Sequence, residues 1–161
     1  MDTFECIARR RSVRSYTDGD LDEKAVDRIL QAGRWAQSAS NRQPWEFIII
    51  RARETLQEIA ARARYGSFIK DAPLAIAVVT NPETKWHIID GSTAVQNMAL
   101  AAWEMGIGTC WIGSLDREEV KELLGIPREL HLLTVLPFGY PEGTKESTRK
   151  DLDTMVHRER W

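Results

Sequence analysis

Four arginines occur within six residues near the start of the sequence, in the stretch IARRRSVRSYTD. They are Arg9, Arg10, Arg11 and Arg14. Arg10, Arg11 and Ser12 could converge on a phosphate through forked, charge-assisted hydrogen bonds, and Arg14 lies two residues beyond Ser12. The spacing alone favours a simpler interpretation, because a basic run also suits the solvated end of a helix, where cations face the negative end of the helix dipole.

Two further stretches are more polar than their surroundings require. In SASNRQPW, the side chains of Ser38, Asn41 and Gln43 supply hydrogen-bond donors and acceptors ahead of a rigid proline. In RKDLD, Arg149 and Lys150 add two cations late in the chain. An ordinary helix-to-strand connection is an equal alternative for the first stretch, and a solvated tail is the alternative for the second.

The common nucleotide and nucleophile motifs are absent. The glycines of GIGTCWIG lack the GxGxxG spacing of a dinucleotide-binding fold and follow a predicted helix. GYPEGTK has three residues between its glycines, where a phosphate-binding P-loop needs four. No GxSxG nucleophile motif occurs. These motifs therefore assign no catalytic residue.

Histidines and cysteines give no ligand set for a metal. His87, His131 and His157 are scattered and have no paired carboxylate spacing, so a metal site is not predicted. Cys6 and Cys110 form no CxxC pair, no disulfide framework and no zinc spacing. This use of cysteine is typical of a reducing cytoplasm.

Length and charge narrow the class of protein. A chain of 161 residues suits one well-buried core, so residues 1–161 are predicted to form a single domain. Lys and Arg total 22 against 24 for Asp and Glu, whereas nucleic-acid binders usually carry a basic excess. No apolar run matches a leader sequence or a membrane span. We therefore expect a cytoplasmic protein that binds neither nucleic acid nor membrane.

The pattern of apolar residues predicts helices that alternate with strands. A short helix capped by Thr3 carries Phe4, Ile7 and Ala8 inward and ends in the arginines. A second helix begins at Asp22 and ends before QSASNRQPW. The strand EFIII, the helix RETLQEIAARARYG and the continuously apolar, buried strand APLAIAVVT follow.

The second half of the chain continues this alternation. Gly66 is predicted to close the preceding helix, Asp90 to cap GSTAVQNMALAAWEMG, and Asp116 to cap DREEVKELLGI. HLLTVLPFGYP is predicted as a strand that Pro137 and Gly139 interrupt, and LDTMVHRERW as a short helix. Strands interleaved with helices indicate a layered α+β or α/β domain.

Together, four stretches resemble a known family. RRSVRSY, SASNRQPWEFIII, STAVQNMALAAWEMGIGTCWIG and LPFGYPEG with STRKDLDTMVHRERW occur in the order found in the nitroreductase family of FMN-dependent oxidoreductases. The resemblance covers essentially the whole chain. It implies an α+β fold of three layers, in which helices flank a central, mostly antiparallel sheet. It also implies a homodimer that binds FMN in the interface.

The resemblance assigns five residues to the phosphate end of FMN. Arg10, Arg11 and Ser12 match the residues that bind the phosphate and ribityl region. Arg149 and Lys150 match the cations that close over the phosphate from the C-terminal side. The basic opening stretch would therefore hold the FMN phosphate.

Five other residues match positions near the flavin ring. By resemblance, Arg14 approaches the N1 and O2 edge, where its guanidinium stabilises the negative charge that reduction leaves at N1. Ser38 and Asn41 match the loop that reaches the flavin of the other subunit. Ile112 and Gly113 match the backbone segment near flavin N5.

The sequence departs from the family pattern in two places. The family loop commonly begins Pro-Ser-Ser, whereas here the three residues from Gln37 read Gln-Ser-Ala, so one hydroxyl contact is missing. Longer nitroreductases carry extra helices that cover the flavin, whereas here only residues 81–89 precede the next helix. Trp86 and His87 are the only aromatic side chains in that segment.

The tryptophans bear on packing and assembly. Trp35, Trp45, Trp103 and Trp111 fall on apolar or junction positions, which predicts core packing. Trp161 ends the sequence, where it has no core to join unless the tail docks on something. Residues 151–161 are predicted to pack against the partner subunit, as similar tails do in the family.

The function implied by the resemblance is a ping-pong oxidoreductase. NADH or NADPH would deliver hydride to flavin N5 and leave. A small electron-poor acceptor, such as a quinone or nitroaromatic, would then occupy the site of the nicotinamide. The alternatives are an FMN protein reduced by a ferredoxin or another flavoprotein, and a non-catalytic flavin-binding protein. A nucleic-acid interaction through the arginines would instead predict binding that weakens steeply with salt.

Overall fold

The computed structural model describes all 161 residues, which form five α-helices and four β-strands. The helices are α1 (Thr3–Arg9), α2 (Glu23–Arg34), α3 (Arg53–Ala61), α4 (His87–Glu104) and α5 (Arg117–Leu124). The strands are β1 (Trp45–Ile50), β2 (Leu74–Thr80), β3 (Gly108–Thr109) and β4 (His131–Gly139). Short 3-10 turns occupy Ala39–Asn41, Ser67–Asp71 and Leu152–Thr154.

The sheet is antiparallel throughout, with the strand order β1-β2-β4-β3. Every residue of β2 is buried, as its continuous apolar run predicts. Leu74, Ile76 and Val78 pack against α2 and α4, whereas the intervening alanines and Val79 pack against α3 and α5. The sheet therefore lies between two helical layers, and the predicted α+β fold is confirmed.

Helix α1 differs from the prediction in its cap and its inner face. The carboxylate of Asp2, not the Thr3 hydroxyl, accepts the capping hydrogen bond from the Glu5 backbone N–H, at 2.8 Å. Phe4 and Ile7, predicted to point inward, are 79% and 50% exposed. Cys6 is the buried residue of this helix, because α1 meets the body of the protein along a narrow face on α4.

Two helix boundaries also differ from the prediction. Helix α4 begins at His87, so Asp90 lies inside its first turn instead of capping it, and the connection from β2 shortens to residues 81–86. Helix α3 ends at Ala61, before Gly66. Gly66 is required for another reason, since a Cβ there would lie 2.8 Å from the Ile112 side chain. Asp116 caps α5 as predicted.

Strand β4 continues through Pro137, which was predicted to interrupt it. Pro137 lies opposite Ala75 of β2, and β4 ends only at Gly139. On its other side, β3 ends at Thr109, opposite Phe138. The proline lacks a backbone N–H, but it sits where the neighbouring short strand has already ended, so the ladder with β3 loses no bond there.

The C-terminal tail does not form the predicted helix. Only the 3-10 turn Leu152–Thr154 interrupts its extended course, and residues 142–161 are all exposed. Trp161 stacks on His157 with ring centroids 4.3 Å apart. None of the helices combines the length and the apolar character that crossing a membrane would require.

The tryptophans fall into two groups. Trp45 is buried and Trp103 half-buried, as predicted. Trp35 and Trp111 were also predicted to pack in the core, but they are 75% and 41% exposed. Trp35 follows the end of α2 and carries the Arg34 guanidinium 4.9 Å above its ring, which places both side chains at the surface.

Candidate functional site

The basic segment after α1 is held firmly along the edge of the sheet. Ser12 forms a parallel bridge with Thr109 of β3, and the Val13 N–H donates to the Thr109 carbonyl at 3.0 Å. The two chains approach closely here because β3 carries a glycine. A Cβ at Gly108 would lie 2.4 Å from the Val13 side chain. Residues 10–15 are therefore fixed by backbone contacts, and their polar side chains are left free to face a cleft.

This cleft, of about 460 Å³, lies between residues 10–15 and the C-terminal segment, residues 143–149, which we call the strap. We call the cleft itself the basic cleft. Its charged and hydroxyl-bearing lining residues are Arg10, Arg11, Ser12, Arg14, Ser15, Lys145, Glu146, Ser147 and Arg149. Five cations and one carboxylate line it, so the cleft is an anion site by charge alone.

The cations of the basic cleft have no acidic partners. The side chains of Arg10, Arg14 and Lys145 make no hydrogen bond or ion pair within the chain, and Arg149 bonds only to Ser147 and the Thr148 carbonyl. Guanidinium groups bind phosphate oxygens through paired, charge-assisted hydrogen bonds. The free donors in this cleft are those that a phosphate monoester requires.

A second, smaller cleft of about 220 Å³ adjoins the first. We call it the apolar cleft. It is lined by Arg14, Tyr65, Phe68, Cys110, Trp111, Ile112, Gly113 and Ser114. Arg14 lines both clefts, so this residue lies at their junction.

The wall of the apolar cleft formed by residues 112–113 is fixed in place. Ile112 is buried against Gly66, and its carbonyl accepts a hydrogen bond from the Thr134 hydroxyl at 3.1 Å. Beside it, a Cβ built on Gly113 would meet no atom within 4 Å, so the backbone there borders open space. The cleft can therefore accept a flat group against bare backbone, with a guanidinium at one end.

Cys110 is the only thiol in either cleft, and it is a poor nucleophile. Burial raises the pKa of Cys110, and the nearby Arg14 and Ser12 only partly offset that effect. A thiol whose pKa is raised stays protonated near neutral pH, and the thiolate is the reactive form. Burial also raises the pKa of Tyr16, whose hydroxyl donates to the Val13 carbonyl at 2.9 Å.

The structure brings together seven of the ten predicted cofactor-binding residues. Those in the basic cleft are Arg10, Arg11, Ser12, Arg14 and Arg149, and those in the apolar cleft are Ile112 and Gly113. Lys150 lines neither cleft, and Lys145 of the strap supplies a cation in its place. Ser38 and Asn41 also line neither cleft.

The loop that carries Ser38 and Asn41 is nevertheless tightly held. Ser40, Asn41 and Gln43 all have left-handed backbone conformations, with φ of 53°, 55° and 49°. Such conformations are costly for residues other than glycine and persist only where surrounding contacts enforce them. The buried carboxylate of Asp90 accepts from the Ala39 N–H at 3.2 Å, which anchors the loop to α4.

The sequence did not point to several residues of the site. Tyr65 and Phe68 come from the connection between α3 and β2, and only the fold places them beside residues 110–114. His87 and His131, predicted to be scattered, form an edge-to-face pair with centroids 5.3 Å apart, away from both clefts. In each case the residues are close in space but distant in sequence, so local spacing does not predict the contact.

Comparison with known proteins matches this architecture. The sequence profile of the nitroreductase family fits residues 7–66 and 60–140. A protein of Archaeoglobus fulgidus, provisionally named NADH dehydrogenase/NAD(P)H nitroreductase, is 35% identical over 170 aligned residues, which cover 98% of each chain. A crystal structure with the same provisional name from Parabacteroides distasonis superposes with a TM-score of 0.93 at 32% identity, covering 99% of this chain and 98% of the other.

A further solved structure contains a flavin. It is a provisionally assigned nitroreductase from Desulfovibrio desulfuricans in complex with FMN. It superposes with a TM-score of 0.90 at 30% identity and covers 100% of this chain and 99% of that one. The similarity therefore extends over the residues that form both clefts.

Proposed function

The chain belongs to the nitroreductase family, and on that premise we propose that it is an FMN-dependent oxidoreductase that takes its electrons from NADH or NADPH. The observation that carries the proposal is the junction of the two clefts at Arg14. An anion site continues there into an apolar slot. FMN has the same two parts, a phosphate tail and a flat ring.

The donor set of the basic cleft fits the FMN phosphate. Arg10, Ser12 and Arg149 would hold the phosphate and the ribityl chain, with Lys145 in the position for which Lys150 was expected. Because the guanidinium groups have no acidic partner, binding a dianion relieves their mutual repulsion and adds charge-assisted hydrogen bonds. The phosphate would thus be bound without displacing any ion pair of the protein.

The apolar cleft fits the flavin ring. Ile112 and Gly113 would border the ring, and Arg14 would lie at its N1 and O2 edge. FMN, when bound, supplies hydride chemistry at N5, which no side chain of the cleft can provide. The chain's own contribution is a permanently charged guanidinium at one end and a protonated, unreactive Cys110 beneath.

We further propose a ping-pong reaction with a small, electron-poor acceptor of the quinone or nitroaromatic type. Tyr65 and Trp111 line the apolar cleft and are 72% and 41% exposed, so they offer aromatic faces to a flat molecule. The connection of residues 81–86 adds little cover. The nicotinamide and the acceptor would occupy the same place in turn.

A homodimer is the proposed assembly, with residues 1–161 acting as one FMN-binding domain in each subunit. Two observations support it. Phe4 and Ile7 on α1, and Leu152 and Met155 on the tail, are apolar side chains that are at least half exposed. In addition, the rigid loop of residues 38–43 presents polar groups to neither cleft of its own chain, as expected if it serves the cleft of a partner.

Initial rates of NADPH and NADH oxidation test the proposed reaction. With a quinone as the second substrate, double-reciprocal plots at several acceptor concentrations should give parallel lines. Converging lines would contradict the ping-pong order.

If the protein binds FMN and a reduced ferredoxin reduces it while both nucleotides are inert, the alternative with a protein donor is correct. The thin cover left by residues 81–86 is the feature that favours that alternative.

A further inference from the structure

The strap is attached to the rest of the protein at one point. Up to Glu142 the chain is held by backbone contacts, including the bond from the Thr17 N–H to the Tyr140 carbonyl at 2.8 Å and the bond from the Glu142 N–H to the Ser15 carbonyl at 3.3 Å. Beyond Glu142, one hydrogen bond joins the tail to the body. In it the Arg11 Nε–H donates to the Lys145 carbonyl at 3.2 Å.

The Nη1 group of Arg11 is also directed at backbone carbonyls, whereas its Nη2 has no partner within the chain. Its Nη1 donates to the Ala8 carbonyl at 2.7 Å and to the Arg10 carbonyl at 2.9 Å. These two contacts fix the plane of the guanidinium at the C-terminal end of α1, where carbonyls have no partner within the helix. Nε is thereby aimed at the strap. Arg10 and Arg14, by contrast, keep all their side-chain donors free for a ligand.

The strap supplies one wall of the basic cleft. Lys145, Ser147 and Arg149 reach the cleft only because the strap lies across it. If the strap moved away, the cleft would lose two of its cations and its cover on that side. A contact that holds the strap in place therefore controls how long an anion remains bound.

We propose that Arg11 is a positioning residue that clasps the strap over the basic cleft, and that it is not primarily a ligand of the phosphate. The inference rests on the proposed function in that the anion under the strap is taken to be the FMN phosphate. Arg11 acts through Lys145 and the cations that follow it. Its loss should therefore affect the release of FMN more than its capture.

The first test uses limited proteolysis of the FMN-free full-length chain with a protease that cleaves after glutamate. Cleavage after Glu146, in the middle of the strap, is followed in the wild type, in Arg11→Lys and in the matched control Arg10→Lys. Neither variant adds or removes a cleavage site. A lysine keeps the charge but lacks the planar fork that aims Nε and Nη1 at the three carbonyls together. Arg11→Lys should speed the cut about five- to tenfold, the worth of one such hydrogen bond, and Arg10→Lys should leave it unchanged.

The second test measures FMN release and capture in the same variants by flavin fluorescence. Arg11→Lys should raise the release rate about five- to tenfold, with little change in the capture rate. The clasp would be overturned if the rate of cleavage after Glu146 were unchanged in Arg11→Lys. It would also be overturned if Arg10→Lys accelerated that cleavage equally. The cleavage assay contains no flavin, so it tests the contact between Arg11 and the strap even if the protein does not bind FMN. A failure to bind FMN would overturn the proposed function but not this contact.

Discussion

Arg14 is the side chain that we propose tunes a bound flavin. It lines both clefts and has no partner of its own within the chain. A guanidinium remains charged at every physiological pH, so its field at the ring edge is constant. Electron density that accumulates at that edge on reduction is stabilised by this fixed charge.

Replacing Arg14 tests this role directly. Arg14→Gln should lower the reduction potential of bound FMN by about 30 mV, since a hydrogen bond to a charged group contributes about 1.5 kcal/mol. The potential is measured by equilibration with reference dyes. Arg149→Gln is the matched control, because it lies at the phosphate end and should weaken FMN binding without moving the potential. An unchanged potential in Arg14→Gln would place the guanidinium away from the ring.

His131 should make the stability of the fold depend on pH. Burial lowers the pKa of His131 below its ordinary value of 6.5, and the nearby His87, Arg117 and Lys121 lower it further, while Glu118 opposes them. The unfolded chain therefore binds a proton more readily at this position. As the pH falls below 6.5, stability should decrease.

The variant His131→Gln isolates this effect. Thermal unfolding of the wild type and the variant is compared at about pH 7.5 and about pH 5. The wild type should lose more stability on acidification than the variant, whose side chain does not titrate. Equal losses in the two proteins would show that other groups account for the acid sensitivity.

Helix α4 positions the loop of residues 38–43 through its first two turns. The Asp90 carboxylate accepts from the Ala39 N–H, and the Thr93 hydroxyl donates to the Gln37 carbonyl at 3.1 Å. Both anchors hold the start of the loop, and the Gln43 N–H donates to the Ser38 hydroxyl oxygen at 3.0 Å, which ties its end back to its start. Three left-handed residues can persist in the loop under these constraints. The anchor is thus a property of the helix and the loop together.

Removing the anchor should loosen the loop selectively. Asp90→Ala is expected to cost about 1 kcal/mol in the free energy of unfolding, the typical value of one hydrogen bond, as measured with urea. Amide hydrogen exchange in residues 38–43 should also accelerate. Gln96→Ala, an exposed change on the same helix, is the control and should alter neither property. Wild-type exchange rates in Asp90→Ala would show that the loop holds its own shape.

Local chemistry explains which elements could be predicted from the sequence. The start of α2 at Asp22 and the cap of α5 at Asp116 follow from neighbouring residues, and the two carboxylates accept from the Ala25 and Glu119 N–H groups at 2.7 and 3.2 Å. The caps predicted at Thr3 and Asp90 were wrong, because α1 is capped by the residue before Thr3 and α4 begins one turn before Asp90. The path of β4 through Pro137 depends on where a distant strand ends, which local pattern does not encode. The prediction of a helix in the tail was wrong for a related reason, because a short helix needs a surface to pack against.

The same distinction between local and long-range contacts applies to the candidate site. The sequence pointed to Arg10 and Arg14 because the arginines are clustered, and the family resemblance supplied Ile112 and Gly113. Lys145 lies in a stretch that was considered only as a P-loop. The basic cleft joins the two ends of the chain, and the apolar cleft joins the α3–β2 connection to the segment after β3, so neither could be derived from local spacing.

The exposed tail bears on the assembly of the whole molecule. Residues 151–161 make no hydrogen bond to the rest of their own chain, and Trp161 is fully exposed. Deletion of residues 151–161 should therefore leave a monomer or an unstable chain, because the exposed apolar side chains of the tail would pack on a partner subunit. Light scattering after size-exclusion chromatography measures the outcome. An intact, FMN-loaded dimer after the deletion would show that the tail is dispensable for assembly.

The visible absorption spectrum of the purified protein, recorded before and after anaerobic addition of NADH or NADPH, tests the central claim most directly. We expect flavin bands that bleach with one or both nucleotides, because the two clefts would hold FMN with its ring open to a nicotinamide. A colourless protein that cannot be reconstituted with FMN would contradict the claim that these clefts form a flavin site.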